Sequence, residues 1–113
     1  RLIETANAPI FGVDTGGRVT EWNKKIAELS HFSKEETLGR PLVENFITEE
    51  YHGEVSFVLL KALHGEETAS FELPLVKRMT AQHGKRAMLL LNATTRRGQT
   101  GEVIGVICVG QDI

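Results

Sequence analysis

Cysteine is almost absent from this sequence, and its scarcity excludes several kinds of site. Cys108 is the only cysteine among the 113 residues, so no disulfide bond can form within the chain. No grouping of cysteine and histidine has the spacing of a zinc site. This composition is typical of a reducing compartment, and it predicts a cytoplasmic protein without a metal site.

Long apolar runs and an excess of positive charge are also missing. No run approaches the roughly 18 apolar residues that a membrane-spanning helix needs. The 13 Lys and Arg residues are outnumbered by 15 Asp and Glu residues, for a formal net charge of -2. We therefore expect neither nucleic acid nor a membrane surface as a partner.

A catalytic signature is lacking as well. Adjacent glutamates occur at Glu35-Glu36, Glu49-Glu50 and Glu66-Glu67. Neighbouring side chains diverge on a helix, so these pairs do not make a shared acid–base site. The Asp14–Gly17 run is not followed by the Gly-Lys-Ser/Thr of a phosphate-binding loop. We predict that the chain is not an enzyme.

The first forty residues predict a hairpin followed by short helices. Residues 10–14 and 18–22 favour two strands around an Asp14-Thr15-Gly16-Gly17 turn. Asn23 is a candidate N-cap for a helix over residues 24–29, and Ser33 with Glu36 matches a capping box. Residues 1–8 suggest the end of a helix that arrives from upstream. The chain begins without Met, so we expect a segment of a longer protein.

The remainder predicts one long helix and three strands. The apolar spacing of residues 48–64 indicates an amphipathic helix capped by Thr48 and ended by Gly65. Strands are predicted over residues 68–76, 87–95 and 102–112, the first at a sheet edge because it contains Pro74. In that first strand we expect Ala69, Phe71, Leu73 and Leu75 on one face. The predicted fold class is α+β, with a five-stranded antiparallel sheet and short helices packed on one face.

The alternation of the last two strands predicts apolar residues on both sheet faces. If Leu89 and Leu91 face the helices, the side chains between them face away. The apolar residues expected on that outer face are Met88, Leu90, Ile107 and Val109. An outer face this apolar should be covered by a partner, so we predict a homodimer or a contact with a flanking helix or effector domain of the same protein.

Residues along nearly the whole chain resemble the PAS family of sensory and dimerisation domains. The matching positions are Asp14, Gly17, Val19, Asn23, Ala27, Leu29, Phe32, Glu36, Gly39-Arg40, Gly105-Val106 and Gln111-Asp112-Ile113. Residues 2–14 and 92–97 are especially similar to PAS domains of phytochrome-like and histidine-kinase-like proteins. The resemblance implies a single PAS domain over residues 1–113 that serves signal transduction, for example in a two-component system.

The resemblance also bears on the cofactor. Flavin-binding LOV domains, a branch of the family, carry a reactive cysteine where this chain has Leu42, and polar amides where Leu89 and Gly110 align. Haem-binding members use a histidine on the long helix, but His52 is two residues from the matching position, a rotation of about 200° on a helix. We expect no LOV-type flavin and no haem.

Many PAS domains hold a small ligand between the sheet and the helices. The residues expected to line such a cavity are Phe11, Val13, Ile26, Leu29, Leu42, Phe46, Leu59, Leu89, Leu91 and Cys108. The same residues would make an ordinary packed core, with Cys108 as a small apolar filler. Two functions therefore stay open, an interaction module and a ligand-binding sensor, with a purely structural spacer as a third.

Overall fold

The computed structural model describes residues 7–75 and 87–112. Its strands are β1 (Ile10–Asp14), β2 (Val19–Trp22), β3 (Thr68–Leu75), β4 (Ala87–Arg97) and β5 (Val103–Asp112). Its helices are α1 (Lys24–Ser30), α2 (Lys34–Thr37), α3 (Leu42–Phe46) and α4 (His52–Leu63), with a short 3-10 helix (Glu49–Tyr51) before α4. Of the upstream helix predicted over residues 1–8, residues 1–6 lie outside the described residues. The polar connection predicted over residues 77–85 also lies outside them.

The five strands form one sheet in the order β2-β1-β5-β4-β3. Every neighbouring pair is antiparallel, and the helices between β2 and β3 lie on one face. The predicted α+β fold class is confirmed. β3 is at an edge, as Pro74 indicated, because proline has no backbone N–H to give to a second neighbouring strand.

The leading hairpin is closed by the side chain of Asp14. Its Oδ1 accepts hydrogen bonds from the backbone N–H groups of Gly16, at 2.9 Å, and Arg18, at 3.0 Å. Gly17 has a φ of 85°, which glycine adopts without the steric cost of a Cβ atom. The predicted turn is confirmed, and it is joined to the start of α3 by a bond from the Leu42 N–H to the Gly17 carbonyl, 3.0 Å.

Asn23 connects three parts of the fold from a fully buried position. Its Oδ1 accepts from the backbone N–H groups of Ile10, at 3.0 Å, and Ile26, at 3.1 Å, and its Nδ2 donates to the Ala8 carbonyl, at 2.8 Å. The N-cap predicted for α1 is thus confirmed, and the same amide fixes the start of β1.

The two other predicted helix starts differ in outcome. Ser33 and Glu36 make both bonds of the capping box at α2. The prediction that Thr48 caps the long helix was wrong, because its side chain makes no capping hydrogen bond. The 3-10 helix separates it from α4, which begins only at His52.

A bulge at the start of β3 overturns part of the predicted alternation. Thr68 pairs with Ala93, and Phe71 pairs with Leu91, so the β3 side has one extra residue. Ser70 has a φ of 60° there. As a result Ala69 is exposed and Thr68, with Phe71 and Leu73, faces the core.

Candidate functional site

The residues predicted to line a cavity come together between the sheet and the helices. Nine of the ten are buried members of one hydrophobic cluster, and Leu29 is partly buried against it. The cluster has eight buried members that the prediction omitted, and the largest of them is Trp22, which is 1% exposed. Its ring lies 6.0 Å from that of Phe11 and 5.7 Å from that of Phe46, measured between centroids.

The polar end of Trp22 is also satisfied. Its Nε1–H donates to the Phe32 carbonyl at 2.9 Å, and the Phe32 ring meets Phe46 edge to face at 4.9 Å. These contacts fill the region between β1, β2 and α3 with four aromatic rings. Only the tryptophan's size could have indicated this from the sequence.

Cys108 lies in this interior, opposite Phe11 on β1 and Ala93 on β4. Burial without a charged partner raises the pKa of its thiol to about 12, because the thiolate would lose its hydration. The thiol is therefore protonated at neutral pH and is neither a nucleophile nor a metal ligand in this state.

The positions that would meet a flavin or a haem lack the side chains for either. Leu42 and Leu89 are fully buried and purely apolar. A Cβ atom on Gly110 would clash with Cδ2 of Leu91 and with the backbone carbonyl of Leu90, so a larger residue has no room there. The His52 ring is occupied by a 2.8 Å hydrogen bond between its Nε2 and the Ile47 carbonyl. At these described positions there is thus neither the thiol nor the amides of a LOV-type flavin site, and the His52 imidazole is engaged with the backbone.

The outer face of the sheet has a different character. Met88, Leu90 and Ile107 are half-buried there, and Val109 is 39% exposed. Ile107 lies over Gly12, where a Cβ atom would approach its Cδ1 to 2.7 Å. The four residues of the predicted interface therefore share the face opposite the helices.

Polar groups frame this outer face. Arg96 on β4 and Glu21 on β2 form a salt bridge of 3.0 Å across the two strands between them. Asn92 accepts a 2.9 Å hydrogen bond from the Ser70 N–H at the bulge of β3. An apolar centre with a polar edge is the usual composition of a protein–protein contact.

Two grooves on the helical side were not predicted. A groove of about 600 Å³ runs between α4, the residue 15–17 turn and α3, and a second of about 350 Å³ lies between α4 and β3. Phe57 and Leu60, on the surface of α4, are 63% and 54% exposed. The apolar spacing of residues 48–64 predicted the buried stripe of α4 but contains no signal for the grooves beside it.

Neither metal binding nor membrane insertion is indicated by the residues that the structure describes. Within residues 7–75 and 87–112, acidic, cysteine and histidine side chains nowhere gather in threes around a possible ion. Over the same ranges, each helix is too short or too polar to cross a bilayer.

A family model described as the PAS fold matches residues 1–113, the whole chain. The chain belongs to the PAS family. Phytochrome B of Arabidopsis thaliana is 41% identical over 113 residues, which are 100% of this chain and 10% of that protein. The match makes this PAS domain a sensory and signalling domain homologous to part of phytochrome, although it spans only a tenth of its curated relative.

Solved structures, two of them named as PAS domains, share the fold at low identity. A PAS domain from Colwellia psychrerythraea has a TM-score of 0.81 at 17% identity, over 98% of this chain and 90% of that one. The Cronobacter turicensis RpfR PAS domain in complex with C12:0 has a TM-score of 0.77 at 17% identity, over 99% of both chains. A Vibrio cholerae VqmA dimer has a TM-score of 0.77 at 18% identity, over 99% of this chain and 50% of that one.

Proposed function

We propose that this PAS domain is an interaction module within a larger signalling protein. Its outer sheet face associates with a second copy of the domain, or with a flanking helix of the same protein, and passes a signal to an effector beyond Ile113. The observation that carries the proposal is the apolar centre of that face, Leu90, Ile107 and Val109, on the two strands β4 and β5.

The position of these residues explains why they favour association. β5 is the central strand of the five. Its outer side chains therefore lie in the middle of the open sheet face, away from both edges. Burying apolar surface contributes about 25 cal/mol per Å², and this contribution is gained only if a partner covers the face. The dimer named for the VqmA neighbour supports a second copy as that partner.

The proposed setting is a cytoplasmic signalling protein of the phytochrome or histidine-kinase type. The 41% identity to phytochrome B over the whole of this chain supports the phytochrome setting. The proposal includes no enzymatic step, no metal, and no resident flavin or haem.

Sedimentation equilibrium of the 113-residue chain tests the interaction. We expect concentration-dependent self-association that Leu90→Glu and Val109→Glu abolish. Leu38→Glu is the matched control, because Leu38 is 40% exposed but lies beside α2 rather than on the sheet. A monomer whose solubility and self-association are unchanged by the Leu90 and Val109 substitutions would overturn the proposal.

A ligand-binding sensor is the second candidate function. It is supported by the hydrophobic residues of the interior cluster and by the C12:0 complex of the RpfR neighbour. An apolar compound would have to displace contacts among side chains that are now packed together, such as Leu42 and Phe46. Native mass spectrometry and an absorption spectrum of the purified chain test this candidate, and a colourless protein at its apo mass would reject it.

A further inference from the structure

The outward side of α4 combines an exposed apolar ridge with a groove on each flank. At about 100° per residue, Val55, Leu59 and Ala62 point into the core, where they are buried. Phe57 points the opposite way and is 63% exposed, with Leu60 one turn further along at 54%. Such a pair is costly to leave in water.

The two grooves lie on opposite sides of this ridge. Ser56, Leu60 and Leu63 line the groove of about 600 Å³, together with Val43 from α3. Phe57 and Val58 line the groove of about 350 Å³, together with Phe71 from β3. An amphipathic helix binds such a surface by laying its apolar face into a hydrophobic groove. The 12 residues of α4 offer about 18 Å of length, or roughly three turns of a partner helix.

The charge around the ridge selects the partner further. Between residues 44 and 72 the chain has seven glutamates and one lysine, a formal charge of -6, while the whole chain carries -2. Glu44 stands at the larger groove, and Glu54 and Glu72 stand at the smaller one, all three exposed. Lys61 is the one lysine of this range, and its Nζ lies 5.5 Å from the centroid of the Phe57 ring.

We infer that the α4 ridge and its grooves dock a basic amphipathic helix of a partner protein. Apolar side chains of that helix pack on Phe57 and Leu60, and its lysine or arginine side chains face Glu44 on one flank and Glu54 and Glu72 on the other. This site is separate from the outer sheet face, so it stands or falls independently of the self-association proposed above.

Selection from a randomised peptide display library against the 113-residue chain tests this inference. We expect the enriched peptides to carry apolar residues at i, i+3 and i+4 spacing with Lys or Arg beside them. A synthetic peptide of the consensus is then the probe for titrations. A library that yields no enrichment, or one that enriches acidic or unpatterned peptides, would overturn the inference.

Variants locate the binding site of the selected peptide. Phe57→Ser and Leu60→Ser should each weaken it by about tenfold or more, as expected for central apolar anchors, and Glu54→Lys should also weaken it. Val109→Ser on the outer sheet face and Glu35→Lys on α2 are the matched controls and should leave the affinity unchanged. All five positions are exposed, so the fold should survive, which circular dichroism checks.

Other occupants of this surface would give different results. If Phe57→Ser abolishes self-association of the chain, the ridge is an interface between copies and the inference is wrong. If Val109→Ser weakens the peptide as strongly as Phe57→Ser does, the peptide binds the outer sheet face and the inference is again wrong. A decline of the affinity with rising salt, lost in Glu54→Lys, would support the charge pairing.

Discussion

The two faces of the sheet are made by alternate residues of the same strands, yet they meet very different surroundings. On β4, Leu89 and Leu91 are 0% and 1% exposed, while Leu90 between them is half-buried. On β5, Cys108 is buried and its neighbour Val109 is 39% exposed. The inner face is covered by the helices of the same chain. The outer face carries apolar side chains that no part of the described fold covers.

This contrast separates stability from function in the molecule. The inner side chains pack against the helices, and removing one leaves a cavity. The outer side chains are half-buried or exposed, and association is the proposed reason for their apolar character. Substitutions at adjacent positions of one strand can therefore be used to test the two roles separately.

The largest expected effect is on the inner face of β4. Leu89→Ala should lower the free energy of unfolding by about 2 to 5 kcal/mol, because it opens a cavity in a closely packed core. Leu90→Ala, one residue along, should lower it by less than about 1 kcal/mol, since the side chain is half-buried at most. Urea denaturation of both variants checks this, at a concentration where the chain is monomeric. Equal losses would contradict the assigned faces.

The next largest contrast is between two asparagines, the buried Asn23 and the exposed Asn92. Asn23→Ala should cost about 2 to 3 kcal/mol, because it removes the α1 cap and also the partner of the part-buried Ile10 N–H and Ala8 carbonyl. Asn92→Ala is the control, because its bond to the Ser70 N–H is exposed to solvent and its loss should cost less than about 1 kcal/mol. Thermal and urea unfolding compare the two. A small loss for Asn23→Ala would refute its connecting role.

The smallest effect at neutral pH concerns Cys108. Its pKa is about 12 in the fold against 9.0 for an unperturbed thiol, so unfolding releases a proton between those values. The contribution of the Cys108 thiol to the free energy of unfolding should therefore be constant below pH 9. It should decline as pH rises from 9 towards 12. Cys108→Ala should remove this part of the decline.

Thiol labelling sharpens the same comparison. In the native chain, Cys108 should not react with a disulfide reagent at neutral pH until the protein unfolds. Val109→Cys in a Cys108→Ala background moves the thiol to the other face, where it should react at once. Rapid native labelling of Cys108 would show that the interior is open to solvent.

The general fold could be predicted because local patterns agree with it. Period-two alternation gave the inner residues of β4 and β5, and the Asp14 turn and Asn23 and Ser33 caps fixed the leading hairpin and helices. The prediction failed where the backbone departs from regular spacing. One extra residue at Ser70 turned Ala69 outward, and a 3-10 helix separated Thr48 from α4; neither feature has a composition signal of its own.

The candidate sites were predictable only in part. Strand parity located the outer face, since it requires only the order of residues. The grooves beside α4 depend on how α3, β3 and the residue 15–17 turn approach that helix, which no local pattern encodes. The interior set was identified as apolar, but the close packing of Trp22 with Phe11 and Phe46 depends on the tertiary arrangement.

The proposed self-association through the outer sheet face, with α1 outside the contact, is tested most directly by site-specific labelling at increasing protein concentration. Gln111→Cys on the outer face and Glu28→Cys on α1, each in a Cys108→Ala background, place one exposed thiol at either site. We predict that maleimide labelling at position 111 slows as the concentration rises, while labelling at position 28 keeps its rate. A rate at position 111 that is the same at every concentration would contradict the claim.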